Sequence, residues 1–329
     1  MTADEDSEMM VPGSLEVLEA RDADGVLSAV VERSDPHDLY TYRIRRIVHE
    51  SRSSLQHIVI AETYNYGRAL FLDGNIQSAH ADQALYHETL VQPAMLGHSS
   101  PQDVLIIGGG EGAALWEVLR HPSVRTVTMV DYDRQVVEAC REHLSAWHQG
   151  AFDDPRARLV FQDGRQFIEQ TAGTYDVVII DVVDMFDNGP AQALYTRQFY
   201  ERLCQRLRPG AVVAVQGLEF SFLDDQPHAA LARTLRTVFR EVSSYNVTIP
   251  SFLCSWGFLV ASDHFCLGRW SATEIDHRIQ ERCGPDGLTH VTGEFLRGCF
   301  SFCKTTQARL SRPGPILEDG IPFEPIPYE

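Results

Sequence analysis

The sequence predicts an α/β protein, a Rossmann-like doubly wound sheet preceded by a small N-terminal antiparallel β-domain. Three observations carry that prediction. Val104 to Glu111, VLIIGGGE, is an apolar run that ends in a glycine turn. Val127 to Asp133, VTMVDYD, repeats the apolar run about twenty residues later and ends on carboxylates. From there to residue 262 short apolar runs alternate with helical periods, and repeated βα units of this length imply a parallel sheet covered on both faces.

The elements follow in order. Residues 1–38 carry acids, Gly13, Gly25 and Pro36 and read as a partly ordered acidic lead-in. Residues 39–81 form the expected β-domain of five to six strands, with YTYRIRRIVHESRS, LQHIVIAETY and GRALFLDG punctuated at Tyr66-Gly67 and Asp73-Gly74. At Asp82 the period becomes helical, with Leu85, Leu90 and Met95 on the pattern and Pro93 as its break. The α/β domain is expected over 82–285. Its strands fall at 104–107, 127–131, 158–161, 176–181 and 211–216, with helices at 112–120, 134–144, 164–170, 195–207 and 227–239. Runs at 242–249 and 256–262, joined through Pro250 and Ser251, read as an antiparallel hairpin at the sheet edge. Residues 286–329 read as an irregular tail rich in Pro and Gly.

Composition narrows the partners. Forty-six acidic against 28 basic residues give a net charge of −18, which weighs heavily against nonspecific binding to nucleic acids or anionic membranes, since that requires basic surface. The excess of acid is either a solvated surface or an attractor for a polycationic substrate. No apolar run approaches the ~18 residues of a membrane span. The N-terminal MTADEDSEMM lacks a signal peptide's basic region, so the cytoplasm is expected. Seven cysteines without CxxC spacing argue against a disulfide framework, and Cys140, Cys204 and Cys254 read as small buried hydrophobes. The histidines show no HxH or HxxxH spacing, so no metal is expected.

The glycine turn bears on the ligand. Gly108, Gly109, Gly110 and Gly112 permit close backbone approach. Glu111 inside the turn would repel a pyrophosphate and attract a cation, and no GK[ST] follows. An adenosine with a positive centre and no phosphate fits, such as S-adenosylmethionine or its decarboxylated form. Glu111, Asp131, Asp163 and Asp181 fall at strand carboxyl ends, joined by Asp184 and Asp187 on the following loop. Asp131 is placed for the ribose diol, Asp163-Gly164 for the adenine amino group, and Glu111 for an ammonium on the cofactor's arm. Asp181 and Asp184 can anchor an amine whose proton must be removed before it attacks, and the Tyr86 hydroxyl can orient it.

These segments resemble the polyamine aminopropyltransferases, the spermidine and thermospermine synthases and their relatives. The resemblance spans about residues 40 to 265 and rests on ALFLDGNIQSAHADQALYHETLVQPAML, VLIIGGGEG, EVLRHPSV, VDYD, AFDDPR, YDVVIIDVVD, GPAQALYT and YNVTIPSFLCSWGFLVASD. It implies a catalytic domain of the class I methyltransferase type and decarboxylated S-adenosylmethionine as co-substrate, with no permanently bound cofactor. It further implies a small polyamine-type acceptor (putrescine, spermidine or agmatine) and a homodimer or homotetramer. Carried over by position, Asp181 is the catalytic base, Asp184 its partner, and Tyr86 and His87 the residues that place the amine. Gln56, Gln77, Glu111, Asp131 and Asp163 match donor positions of the family. Beside that resemblance, the residues themselves add Gly108, Gly110 and Gly164 to the donor site, and Asp187 on the longer loop with Phe252 and Trp256 as walls of the acceptor channel beside Asp184.

GGGEG in place of GGGDG, the longer loop after Asp184, EHLSAWHQGAFDDPR and IPSFLCSWGF resemble the branch that takes longer amines or agmatine. Met185 stands where the family usually has Pro, Trp116 where it has Arg, Gln83 where it has an acid, and Gln92-Pro93 where it has His-Pro. Two other readings use the same residues: an amine N-methyltransferase fed by intact S-adenosylmethionine, and a non-catalytic polyamine-binding subunit.

Overall fold

The computed structural model describes residues 16–22, 25–32, 39–184, 190–221, 225–284 and 287–323. The chain divides into two compact units, Met1–Ala81 and Asp82–Glu329.

The first unit is a six-stranded sheet in sequence order: β1 (Glu16–Asp22), β2 (Gly25–Glu32), β3 (Tyr40–Arg52), β4 (His57–Thr63), β5 (Arg68–Leu72) and β6 (Asn75–Ala79). Every neighbouring pair is antiparallel. Asp73 and Gly74, both at positive φ (48° and 84°), make the two-residue turn between β5 and β6. Such hairpins demand left-handed backbone at both turn positions, which Asp-Gly supplies at little cost. The sheet starts earlier than residue 39. The acids at 16, 19 and 22 lower the local hydropathy, whereas β1 is defined by its ladder to β2, a contact that composition does not register.

The second unit holds a seven-stranded sheet built from β7 (Asp103–Gly108), β8 (Thr126–Asp131), β9 (Ala157–Phe161), β10 (Tyr175–Asp181), β11 (Leu207–Glu219), β12 (Glu241–Ile249) and β13 (Cys254–Ser262). The order is β12-β13-β11-β10-β7-β8-β9. The run from β11 to β9 is parallel, and β13 pairs antiparallel with both β11 and β12. This is the α/β sheet of the methyltransferase-like fold.

Its helices are α1 (Gln83–Gly97), α2 (Ala113–Leu119), α3 (Arg134–His143), α4 (Ser145–His148), α5 (Gly164–Gln170), α6 (Arg197–Cys204), α7 (Gln226–Arg236), α8 (Ala272–Cys283), α9 (Gly293–Cys299) and α10 (Lys304–Leu310). Val104, Ile106, Val177 and Ile179 face a core completed by Leu90, Val91 and Met95 of α1 and Leu115 and Val118 of α2. Leu105, Ile107, Val178 and Ile180 face a second core with Phe199 and Tyr200 of α6 and Leu231 and Leu235 of α7. Both sides of β7 and β10 are therefore buried, which is why they read as continuous apolar runs rather than as alternation.

Two elements depart from expectation. Pro93 does not break α1, which continues to Gly97. A proline inside a helix leaves the carbonyl four residues back without its donor. Here that carbonyl belongs to Thr89, and the Tyr245 hydroxyl donates to it at 3.0 Å. The tail is also more ordered than its composition suggests. It contains α9 and α10, and Leu317 is buried with its N–H on Thr234 Oγ1 at 2.9 Å. Seven-residue helices are too short to show a periodic signal, and α9 is held by tertiary packing of Leu296 and Cys299.

The sheet order reverses at β7, whose neighbours are β8 on one side and β10 on the other. Crevices at such switch points, beyond the strand carboxyl ends, are where ligands bind in open α/β sheets.

Candidate active site

The end of β7 is drawn tightly against the end of β10. Gly108 is in register with Asp181, and a Cβ on Gly108 would lie 2.0 Å from the Asp181 carbonyl oxygen. The Gly109 N–H donates to that oxygen at 2.8 Å. On the other side a Cβ on Gly110 would lie 2.8 Å from Asp131 Oδ2. The bare turn therefore lets two strand-end carboxylates close on one point, with Glu111 carried between them.

Helix α1 supplies two adjacent side chains to the same place. The Tyr86 hydroxyl donates to Asp181 Oδ1 at 3.1 Å. His87 Nε2 lies 3.1 Å from Glu111 Oε1 and 3.8 Å from Asp181 Oδ2. His87 Nδ1 is 2.6 Å from the Gln83 carbonyl oxygen, an acceptor, so Nδ1 carries a proton. The side chains of His87, Glu111 and Asp181 are 1%, 13% and 8% exposed. Asp181 Oδ2 is buried with no hydrogen-bond partner among the described residues.

This crowding sets the charge states. Burial, then the neighbouring Glu111 charge, push the Asp181 carboxyl up to about 7, against the opposing pull of His87. Burial alone would lower the His87 imidazole, but its hydrogen bond to Glu111 and the charges of Glu111 and Asp181 raise it to about 9. Burial would likewise raise Glu111, yet the His87 contact holds it below the usual carboxylate range. Asp131, whose Oδ1 accepts the Asp133 N–H at 2.8 Å, is pushed up to about 7, chiefly by burial. Glu111 and His87 thus form an internal ion pair, while the proton affinity of Asp181 lies near neutrality.

The aromatic residues close one side. Phe252 packs edge-on against Tyr86 (5.8 Å between ring centroids) and against Trp256 (4.9 Å). A clamp not anticipated from sequence holds this turn to α1: the Ser251 N–H and hydroxyl donate to the two oxygens of Asp82 at 2.7 and 2.9 Å. Also unanticipated is Gln216, fully buried at the end of β11. Its Oε1 accepts from Trp256 Nε1 at 3.1 Å. Its Nε2 donates to the Val182 carbonyl at 2.8 Å, to Asp184 Oδ1 at 3.5 Å and to the Tyr195 hydroxyl. Gln216 therefore ties the loop after Asp181 to the aromatic side. The one signal available was a polar residue closing the apolar run AVVAV at a strand's carboxyl end.

Tyr86, His87, Glu111, Asp131 and Asp181 thus come together; Phe252 touches Tyr86 directly, Trp256 joins through Phe252, and Asp184 is tied to Trp256 through Gln216. Asp163 also holds the backbone: its Oδ1 caps α5 by accepting the Gln166 N–H at 2.8 Å, and Gly164 lies against Ile107. Gln56 and Gln77 belong to the first unit, where Gln56 is buried and Gln77 Nε2 donates to the Asn75 carbonyl at 3.2 Å. Asp187 lies outside the described residues. Although no histidine-pair spacing exists, donor atoms of His87, Glu111 and Asp181 all lie within 4.8 Å of one another. They arrive from three distant segments, which local spacing cannot reveal.

Fold and site define a transferase of the methyltransferase-like α/β class, and comparison with known proteins specifies which. Residues 83–268 match the spermine/spermidine synthase domain and residues 30–80 the spermidine synthase tetramerisation domain. Polyamine aminopropyltransferase 2 of Pseudomonas aeruginosa is 62% identical over 302 residues, 92% of this chain and 86% of that protein. The polyamine aminopropyltransferase of Sulfolobus acidocaldarius is 40% identical over 79% of this chain and 87% of its own. A crystal structure of spermidine synthase in complex with the transition-state analogue AdoDATO superposes with a TM-score of 0.76 at 28% identity, covering 83% of this chain and 91% of that one. Spermidine synthase from Thermotoga maritima superposes with a TM-score of 0.75, also at 28% identity, covering 83% of this chain and 90% of its own. The chain belongs to the spermidine synthase family of polyamine aminopropyltransferases.

Proposed function

We propose that this chain transfers the aminopropyl group of decarboxylated S-adenosylmethionine to a polyamine-type amine, releasing methylthioadenosine, with Asp181 as the base. The observation that carries the reading is the state of Asp181. One oxygen is held by the Tyr86 hydroxyl, the other is buried with no hydrogen-bond partner among the described residues, and the carboxyl is raised to about 7. An ammonium entering beside it finds both a counter-charge and a proton acceptor of matched strength.

The residues of the crevice fit the donor. Asp131, against the bare Gly110, is placed for the ribose hydroxyls, and Asp163, just after β9, for the base, while the space beside the Gly164 Cα is filled by Ile107. Glu111, ionised by its contact with His87, suits an ammonium on the donor's arm. The match to the spermine/spermidine synthase domain favours the decarboxylated donor over the intact one, hence aminopropyl over methyl transfer. Asp181 takes a proton from the acceptor's ammonium, and Asp184 and Tyr86 hold the freed nitrogen in line. The nitrogen attacks the methylene carbon next to the sulfonium. A C–N bond forms as the C–S bond breaks, the bonding pair stays on sulfur as a neutral thioether, and Asp181 returns its proton to solvent. Alignment supplies much of the acceleration, because it makes the encounter intramolecular.

For the acceptor we favour a triamine or agmatine over putrescine. The support is GGGEG, the lengthened loop after Asp184 and the aromatic side built by Phe252 and Trp256. The same reading has the chain working in the cytoplasm as a homo-oligomer, and the match to a tetramerisation domain supports the assembly.

Asp181→Asn tests the assignment. Turnover, followed as methylthioadenosine release, should fall by roughly 10²–10⁴-fold, the range for loss of a general base. Donor affinity by calorimetry should change by less than about threefold if the base contacts the acceptor alone. Unchanged turnover would remove Asp181 from the role. Products from a panel of putrescine, agmatine, spermidine and longer amines, identified by mass spectrometry, decide the acceptor.

A further inference from the structure

We propose that His87, Glu111 and Asp181 also form a binding site for one borderline divalent cation, Zn²⁺ or Co²⁺, which excludes the donor when bound.

The argument is geometric. His87 Nε2 lies 3.1 Å from Glu111 Oε1 and 3.8 Å from Asp181 Oδ2, and the three donor atoms fall within 4.8 Å of one another. Donors about 2.0–2.1 Å from a tetrahedral zinc stand roughly 3.3 Å apart, so the two measured edges straddle that value. The third edge, between the two carboxylates, is within 4.8 Å, so closing the shell draws Glu111 and Asp181 together, with the fourth position open.

The surroundings are those of a ligand set held in place. Metal-binding histidines characteristically give their second ring nitrogen to a carbonyl or carboxylate, which aims the first. His87 Nδ1 meets the Gln83 carbonyl at 2.6 Å and so aims Nε2 at the two carboxylates; the cation displaces the Nε2 proton that Glu111 otherwise accepts and releases it to solvent. Asp181 is oriented in the same way, with the Tyr86 hydroxyl on Oδ1 and Oδ2 left buried with no hydrogen-bond partner among the described residues. One imidazole and two carboxylates match the borderline cations of the first transition row better than Mg²⁺ or Ca²⁺, which prefer all-oxygen shells. A cation here would take the place assigned to the donor's ammonium and would occupy the base, so metal and donor would exclude each other. Binding stands on the geometry alone; the exclusion rests on the function proposed above.

The test is a Co²⁺ titration of the chelator-stripped, full-length wild-type protein, read by visible absorption. One saturable ion per chain is expected, with the ligand-field bands of a four-coordinate nitrogen–oxygen site and no thiolate charge-transfer band. His87→Gln and Asp181→Asn should each weaken binding by at least about tenfold. Circular dichroism checks their folding. If His87→Gln fails to fold, Asp181→Asn carries the comparison. Absence of saturable binding, a thiolate band, or an unchanged titration in a folded variant would overturn the site. Decarboxylated S-adenosylmethionine added to the wild-type Co²⁺ complex should bleach the bands. If it binds by calorimetry without bleaching them, the exclusion is wrong and Glu111 does not read the donor's ammonium. Turnover by the metal-free enzyme tests the proposed function separately.

Discussion

At the residue scale the site turns on one carboxylate kept out of water. Asp181 sits at about 7 in the folded chain against an ordinary value of 3.8, chiefly because burial disfavours its charge. Two outcomes follow for the chelator-treated enzyme. Turnover should rise with pH through about 7 as the base ionises, and Asp181→Asn should lose that limb. Stability should show the opposite trend. A carboxyl whose folded value is raised contributes stability that is fully present below the unfolded value and is lost as pH rises through the folded one. Asp181→Asn removes that loss, so its melting temperature relative to wild type should be higher at about pH 8 than at about pH 5. The scale is about 2–4 °C per kcal/mol for a domain of this size. A difference independent of pH would mean that Asp181 ionises normally. The acids themselves were legible in the sequence because each ends an apolar run. Gln216 was not, since a lone glutamine gains meaning only when Trp256, Asp184 and Tyr195 arrive around it.

At the scale of elements, α1 does the most. It presents Tyr86 and His87 to the crevice, and its C-terminal end is held by guanidinium groups from α8, with Arg278 on the Leu96 carbonyl and Arg282 on those of Met95 and His98. Its continuity past Pro93 depends on Tyr245. Tyr245→Phe would leave the buried Thr89 carbonyl without its donor, a cost of about 1–3 kcal/mol. The melting temperature should drop by several degrees, at about 2–4 °C per kcal/mol. An unchanged midpoint would show that water takes the hydroxyl's place. The parallel strands β7, β8, β9 and β10 were legible to within a residue at each end, and burial on both faces of β7 and β10 writes those two as continuous apolar runs. Strand β11 runs Leu207–Glu219 where the apolar run marks 211–216, because its first four residues are not buried. Continuity through Pro93 was not legible, because the compensating hydroxyl lies 156 residues beyond Thr89, whose carbonyl it serves.

On the scale of the whole molecule the net charge of −18 acts as a field as well as a surface. A polycation is drawn toward such a chain, and salt screens the attraction, with a Debye length of about 10 Å at 0.1 M and ~3 Å at 1 M. KM for the acceptor should therefore rise with ionic strength, more steeply for a triamine than for a diamine, while kcat changes little. A KM indifferent to salt would leave the acidic surface to solubility alone. Among the described residues no helix is long and apolar enough to cross a membrane. The family was legible at this scale as well, because the ordered blocks between residues 40 and 265 are local strings whose meaning survives without coordinates.

The sequence by itself determined the α/β class, the parallel core, the glycine turn with its spaced acids and the membership of an aminopropyltransferase family. Each is written locally, in apolar runs, in residues that tolerate a turn, or in strings of a dozen residues. Tertiary structure decided what depends on partners far apart in the chain. It placed β1 and β2 in the first sheet, set α9 against one core through Leu296 and buried Leu317 in the other. It carried α1 through its proline and set Gln216 between the loop and the aromatic side. Above all it set the charge state of the site, because a carboxylate's affinity for its proton depends on which groups share its dry surroundings. Here Glu111, His87 and Tyr86 reach Asp181 from 70, 94 and 95 positions away.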